Sequence, residues 1–111
     1  MNQYEIWWAD LPPPAGRRPV VLLSREDAYD YLNKFIAVEI TTTIRNIPIE
    51  VRLGKREGLD KPCVANFDNL RTIARSRLVR RAGRLAPERI REAKRALGYA
   101  LAWEELLSIN P

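Results

Sequence analysis

The chain has no histidine anywhere in its 111 residues, and only one cysteine and one methionine. Without histidine it lacks the one side chain that titrates unperturbed near neutral pH, and with it the usual general base and the commonest metal ligand. A lone cysteine excludes an intrachain disulfide and fits a reducing compartment. Its neighbourhood, Pro62-Cys63-Val64-Ala65, reads as a short buried strand in which the thiol packs as a small hydrophobe. With no histidine to activate it, that thiol is a poor candidate nucleophile. There is no Gly-rich phosphate loop, no HExxH, no catalytic triad and no paired-cysteine zinc pattern, so neither a metal nor another cofactor is expected. No uninterrupted apolar run is long enough to span a bilayer. The start, Met1-Asn2-Gln3-Tyr4-Glu5, has no basic region leading into an apolar stretch. The expectation is a cytoplasmic protein that does not meet a membrane.

What is present fits one domain over residues 1–111, long enough to bury a core without disulfide or zinc. The net charge is +5, unevenly spread. Residues 71–95 hold ten Lys or Arg against Glu88 and Glu92, a local +8 that leaves −3 for the rest. Such a cluster attracts polyanions, either nucleic acid or an acidic protein, although any single arginine in it can simply be a solvated charge on a helix.

Along the chain, Tyr4–Asp10 is aromatic and extended, a strand whose adjacent Trp7 and Trp8 point to opposite faces. One enters the core. The other lies on the outer face, where it needs a partner surface, a subunit interface or a stacked base, and core and dimer contact are the uses expected of the pair. Residues 11–17 form a loop stiffened by three prolines into an extended polyproline segment, after which Gly16 permits a turn. Arg18 precedes Pro19, which pushes it extended, and Val20–Leu23 follows as a buried strand. Residues 25–32 allow a short helix. Lys34 to Thr43 reads as a strand, and 44–54 as a turn and a returning strand with Ile49 and Val51 alternating with Glu50 and Arg52. Residues 54–61 read as a charged loop, Cys63–Asn66 and Leu70–Ile73 as two short strands, and Arg75–Arg81 as a helical turn leading into a strand ending near Leu85. Pro87 opens a helix to about Leu107, with Ile90, Ala93, Leu97, Ala100, Leu101 and Leu107 on one apolar stripe. Five to seven short strands and a long C-terminal helix predict a mainly β fold, a small antiparallel barrel or half-open sheet with helices attached.

Two segments could carry chemistry. Arg18-Pro19 opens the run VVLLS, and Thr41-Thr42-Thr43-Ile44-Arg45 closes a strand. They place a fixed cation and a fixed hydroxyl at strand ends, which suits a reaction passing through a crowded, highly charged phosphate. Composition and periodicity alone stop at a small, basic, mainly β protein able to bind nucleic acid.

WWADLPPP, GRRPVVLLS, EITTTIRNIPIEVRL, the EGL of residues 57–59, NFDNLRTI and RLAPERI, in that order and over nearly the whole chain, resemble the MazF/PemK family of toxin ribonucleases. The resemblance implies an SH3-like antiparallel barrel (MazF/PemK/CcdB-like) with a C-terminal helix, assembled as a homodimer. It implies the toxin of a type II toxin–antitoxin system: a metal-independent, sequence-selective endoribonuclease that cuts single-stranded RNA, usually mRNA, through the 2′-hydroxyl and leaves a cyclic phosphate. A cognate acidic antitoxin is the implied protein partner. Carried onto this chain, the catalytic arginine matches Arg18, whose guanidinium can grip two phosphate oxygens, and the catalytic threonine matches Thr41. The plainer uses are a surface salt bridge for Arg18 and simple β-propensity for Thr41. Asn69 matches a position in the RNA groove, where its amide could read a base edge, or it is a turn-forming Asn. Arg17, Thr42, Thr43 and Arg71 are further RNA-binding candidates.

The chain departs from the family at the loop between Asp10 and Arg18, which is short and lacks the acidic residue some members place before the arginine. Two other readings remain. Gyrase-poisoning toxins share the fold and act through the end of the C-terminal helix, here Trp103–Pro111, and fold does not fix function. The third is a basic barrel that binds RNA without cutting it.

Overall fold

The computed structural model describes residues 1–109. Six strands, β1 (Glu5–Asp10), β2 (Arg17–Leu22), β3 (Lys34–Thr41), β4 (Glu50–Leu53), β5 (Cys63–Ala74) and β6 (Leu78–Arg84), form one antiparallel sheet in the order β4-β5-β3-β2-β1-β6. Helix α1 (Ala28–Tyr31) links β2 to β3, and α2 (Pro87–Leu101) and α3 (Glu104–Leu107) end the described chain. The sheet is curled. Its two edges approach where the 3-10 turn Lys55–Glu57, after β4, meets β6. There the backbones cross so closely that a Cβ on Gly83 would lie 2.0 Å from the Glu57 carbonyl oxygen, and one on Gly58 2.1 Å from that of Ala82. Glycine at both positions lets the half-barrel close.

Alternation along the strands fills both faces. On one, Ile6, Val21, Val38, Ile40, Val51 and Phe67 pack with Ala93 and Ala96 of α2. On the other, Ala9, Val20, Leu22, Phe35, Ala37 and Ile73 form a second cluster under α1. Central strands apolar on both faces are why β2 and β3 read as near-continuous hydrophobic runs. Arg75 seals the second cluster. Its Nη2 donates to the carbonyls of Tyr29 (2.6 Å) and Leu32 (2.9 Å), and its guanidinium lies 4.9 Å above the Phe35 ring.

Five local expectations need correction. The prolines do not run on as an extended segment: residues 13–15 turn, the Ala15 N–H donates to the Pro12 carbonyl, and the Leu11 N–H to that of Gly16. The strand expected through Thr43 stops at Thr41. Residues 54–61 are not merely a charged loop, because Glu57 (1% exposed) and Leu59 are buried in it. The two short strands after Pro62 are one long strand, β5. Between the pairs Val38–Leu70 and Ile40–Ala65, the four residues Asn66–Asn69 stand opposite Glu39 alone. This bulge absorbs the polar residues that look like a break in the sequence. The C-terminal helix stops at Leu101, where Ala102 takes a left-handed conformation (φ 54°) and the Trp103 N–H closes back on the Gly98 carbonyl. The absent side chain of Gly98 makes room for Leu106 as α3 folds back, and Leu101 is left exposed, off the apolar stripe.

Candidate functional site

The register sets Arg18 and Thr41 on one face of neighbouring strands. Val20 of β2 stands opposite Glu39 of β3, so their side chains share a face. Two residues along each strand, on that same face, are Arg18 and Thr41. The β2–β3 ladder begins only at Val20, so Pro19 is paired through β1 alone, where a missing N–H is tolerated. Arg18 thus leaves the end of a core strand, half-buried, with a fixed backbone.

Arg18 and Thr41 line one cavity of about 270 Å³. Arg17, Thr42 and Trp8 also line it, and Leu59 and Cys63 form apolar parts of its wall. The Thr41 hydroxyl accepts the N–H of Thr43 at 3.2 Å, which fixes the side chain and leaves its own proton free to donate. Arg17 is tied to Asp10 across the β1–β2 ladder, Nε to Oδ1 at 2.8 Å and Nη2 to Oδ2 at 3.3 Å. The hydrogen bond from Arg17 holds the Asp10 carboxyl below its ordinary range. Burial pushes the Cys63 thiol up, so it stays a packed, protonated side chain in the cavity wall.

Three sequence candidates lie elsewhere. Thr43 is exposed and serves Thr41 through its backbone. Asn69 is exposed in the β5 bulge beside Glu39, and neither residue is among those lining the cavity. Arg71 does not face the cavity. It donates from Nη1 to Glu39 Oε2 at 3.0 Å, while Arg18 Nη1 approaches Glu39 Oε1 at 3.5 Å. Trp8 is not in the core: it lines the cavity, half-buried, with the Arg80 guanidinium 5.8 Å from its ring. Trp7 packs inward, and its Nε1 donates to Glu5 Oε1 at 3.0 Å.

Sequence reasoning missed Glu39, Asp60 and Lys61. Asp60 and Lys61, in no ion pair among the described residues, bring an acidic and a basic side chain to the cavity wall from the loop before β5, where nothing distinguishes them from other loop charges. Glu39 carried a signal: a charge inside the otherwise apolar run Phe35–Ile40. A larger cavity of about 380 Å³ shares Asp60, but it lacks Arg18 and Thr41, and its three arginines are engaged, Arg52 with Asn46, Arg56 with Glu88 and Arg89 with Glu92. Among the described residues no group of three or more Cys, Asp or Glu is placed to hold a metal ion. Nor is any described helix long and apolar enough to cross a membrane.

A curled antiparallel sheet with a C-terminal helix and a cation-rimmed cavity at the strand ends defines a small half-barrel fold. The chain belongs to the PemK-like, MazF-like toxins of type II toxin–antitoxin systems, whose family model matches residues 2–101. It is 37% identical over 98 residues to the probable endoribonuclease MazF2 of Mycobacterium tuberculosis, covering 87% of this chain and 94% of that protein. The endoribonuclease MazF of Staphylococcus saprophyticus is 28% identical over 116 residues, covering 97% of each. The solved M. tuberculosis toxin MazF-mt6 superposes with a TM-score of 0.82 at 33% identity, covering 88% of this chain and 96% of its own. A mycobacterial endoribonuclease in complex with its cognate antitoxin superposes with a TM-score of 0.82 at 27% identity, covering 93% and 96%. The gyrase reading finds no support among these relatives. Of the segment it relied on, Trp103 is 52% exposed, and Asn110 and Pro111 lie outside the described residues.

Proposed function

We propose that this toxin is a metal-independent endoribonuclease acting on single-stranded RNA at the cavity between β2 and β3. The observation behind the reading is that Arg18 and Thr41, from neighbouring strands, both line one cavity. In the reaction the RNA 2′-oxygen attacks the adjacent phosphorus, the bond to the 5′-oxygen breaks, and a 2′,3′-cyclic phosphate and a 5′-hydroxyl result. Arg18 faces the phosphate oxygens as charge builds on them, and its planar fork suits two of them at once. It stays protonated, so it stabilises charge rather than taking a proton. Thr41 donates its hydroxyl to a phosphate oxygen. Thr42 and Arg17 border the RNA, and Trp8 offers a ring on which a base can stack.

The relatives support the activity: those in M. tuberculosis and S. saprophyticus are named as endoribonucleases, and a mycobacterial one is solved with its cognate antitoxin. By the same reasoning the partners are a cognate acidic antitoxin and a second copy of the chain, in the cytoplasm. The test uses single-stranded RNA in EDTA, beside the same oligonucleotide with one 2′-deoxy sugar at the mapped cleavage point. Cuts ending in a cyclic phosphate, abolished by the single deoxy sugar, are the expected result. Cleavage that survives the deoxy substitution or requires added metal would refute the mechanism.

A further inference from the structure

Glu39 does not line the cavity, yet it is the group that Arg18 leans on. We propose that Glu39 is a positioning residue for Arg18, itself held in place by Arg71. The inference rests on reading Arg18 as the group that meets the scissile phosphate.

Glu39 is a carboxylate in the middle of a core strand, its side chain 13% exposed, between Val38 and Ile40, which are both buried. A charge withdrawn from water to that extent requires partners. It has one on each oxygen. Arg71, from β5, approaches Oε2 at 3.0 Å, and Arg18, from β2, approaches Oε1 at 3.5 Å. The shorter contact is to the arginine outside the cavity and the longer one to the arginine that lines it. Arg71 therefore anchors the carboxylate, and the carboxylate restrains Arg18.

The arrangement leaves Arg18 free to work. A guanidinium has five N–H donors, and Glu39 engages only Nη1. The remaining donors stay on a side chain that is 37% exposed. An arginine is rich in rotamers, so setting its direction beforehand removes a cost otherwise met in the transition state. Glu39 also offsets one of two neighbouring positive charges, leaving the triad with a net single charge toward RNA. Because both of its oxygens face guanidinium groups, Glu39 is the wrong choice for a general base. Asp60 is the carboxylate that lines the cavity.

A cycle of single and double substitutions tests the proposal, reading kcat and KM for RNA cleavage in EDTA together with each variant's melting midpoint. Glu39→Gln keeps the shape and removes the charge. It should lower kcat by about ten- to a hundredfold while KM stays level or falls, because the patch becomes more positive. Glu39→Asp should recover part of the loss. In an Arg18→Lys background, Glu39→Gln should cost less than about threefold, because the fork it aims is gone. If Glu39→Gln melts well below the parent, Arg71→Gln unseats the carboxylate from the other side and is held to the same two readings. A parental kcat for Glu39→Gln, or an equal fold-loss in both backgrounds, would overturn the positioning role and leave the nuclease reading intact. An Arg18→Lys variant that cuts like the parent would instead remove Arg18 from the site, and this proposal with it.

Discussion

Arg17 and Arg18 are adjacent in the chain and have different surroundings. Arg17 is committed to the exposed Asp10, whereas Arg18, which lines the cavity, rests on the largely buried Glu39 through Nη1. Arg17→Ala should therefore lower the cleavage rate by less than about tenfold, as expected for loss of an exposed pair that is worth little. The opposite ordering of Arg17→Ala and Arg18→Ala in a rate assay would show that the wrong arginine was chosen. A second outcome concerns Glu5. Burial would raise its carboxyl, but donation from Trp7 and Asn2 and the nearby Arg81 outweigh burial and hold it below the ordinary range. A carboxyl depressed in the folded state stabilises the fold above its unfolded pKa, and that stability is lost as pH falls through the folded value. The difference in unfolding free energy between the parent and Glu5→Gln should thus be full at neutral pH and shrink on acidification. Denaturant melts at several pH values check it, and a difference independent of pH would contradict it. Arg18 and Thr41 stand out in the sequence because one opens an apolar run and the other closes one, and the resemblance to the family is what attached roles to them. The Glu39–Arg71 bridge does not, because its partners are 32 residues apart and only the register of β3 on β5 brings them together.

At the scale of elements, closure of the half-barrel depends on the crossing of the 3-10 turn and β6. Gly83→Ala would drive a methyl group into the Glu57 carbonyl, and backbone cannot yield as a flexible side chain can. A loss of about 2–3 kcal/mol is expected, read as a lower melting temperature. A variant melting with the parent would mean that the two edges are not in contact. The break between α2 and α3 makes the opposite prediction. Ala102 holds a left-handed conformation that glycine adopts without penalty. Ala102→Gly should stabilise the protein by about 1 kcal/mol, and a lower melting temperature would show that the helix does not end there. These elements also mark where sequence reading ends. Alternation and apolar runs located the strands, and Pro87 located the start of α2. The β5 bulge carries no periodic signal, so its polar residues read as a break. The apolar stripe continues past Ala102, so nothing in the pattern announces that the chain folds back on Gly98.

Over the whole molecule, the basic segment 71–95 divides into two populations. Arg71, Arg75, Arg81 and Arg89 are spent on internal contacts, with Glu39, the carbonyls of Tyr29 and Leu32, Glu5 and Glu92. Arg77, Arg80, Arg84, Arg91, Lys94 and Arg95 make no ion pair among the described residues, and Arg80 lies over Trp8 at the cavity. Counting charges in sequence could not separate the two groups. Affinity for an uncleavable deoxy-substituted RNA should fall with salt. Arg80→Gln should reduce the slope of log affinity against log salt by about 0.7, and Arg91→Gln, on the exposed helix, should leave it unchanged. Equal effects from the two would place the RNA elsewhere. Cleavage by one cation and one hydroxyl, which the register of β2 and β3 sets on one face, is the proposal on which everything else depends. Its most direct test is the rate of RNA cutting in EDTA by Arg18→Ala and Thr41→Ala, each shown to melt with the parent. A loss of about a hundredfold or more is expected for Arg18→Ala, equivalent to about 3 kcal/mol, and a clear loss for Thr41→Ala. Variants that fold normally and cut as fast as the parent would contradict it.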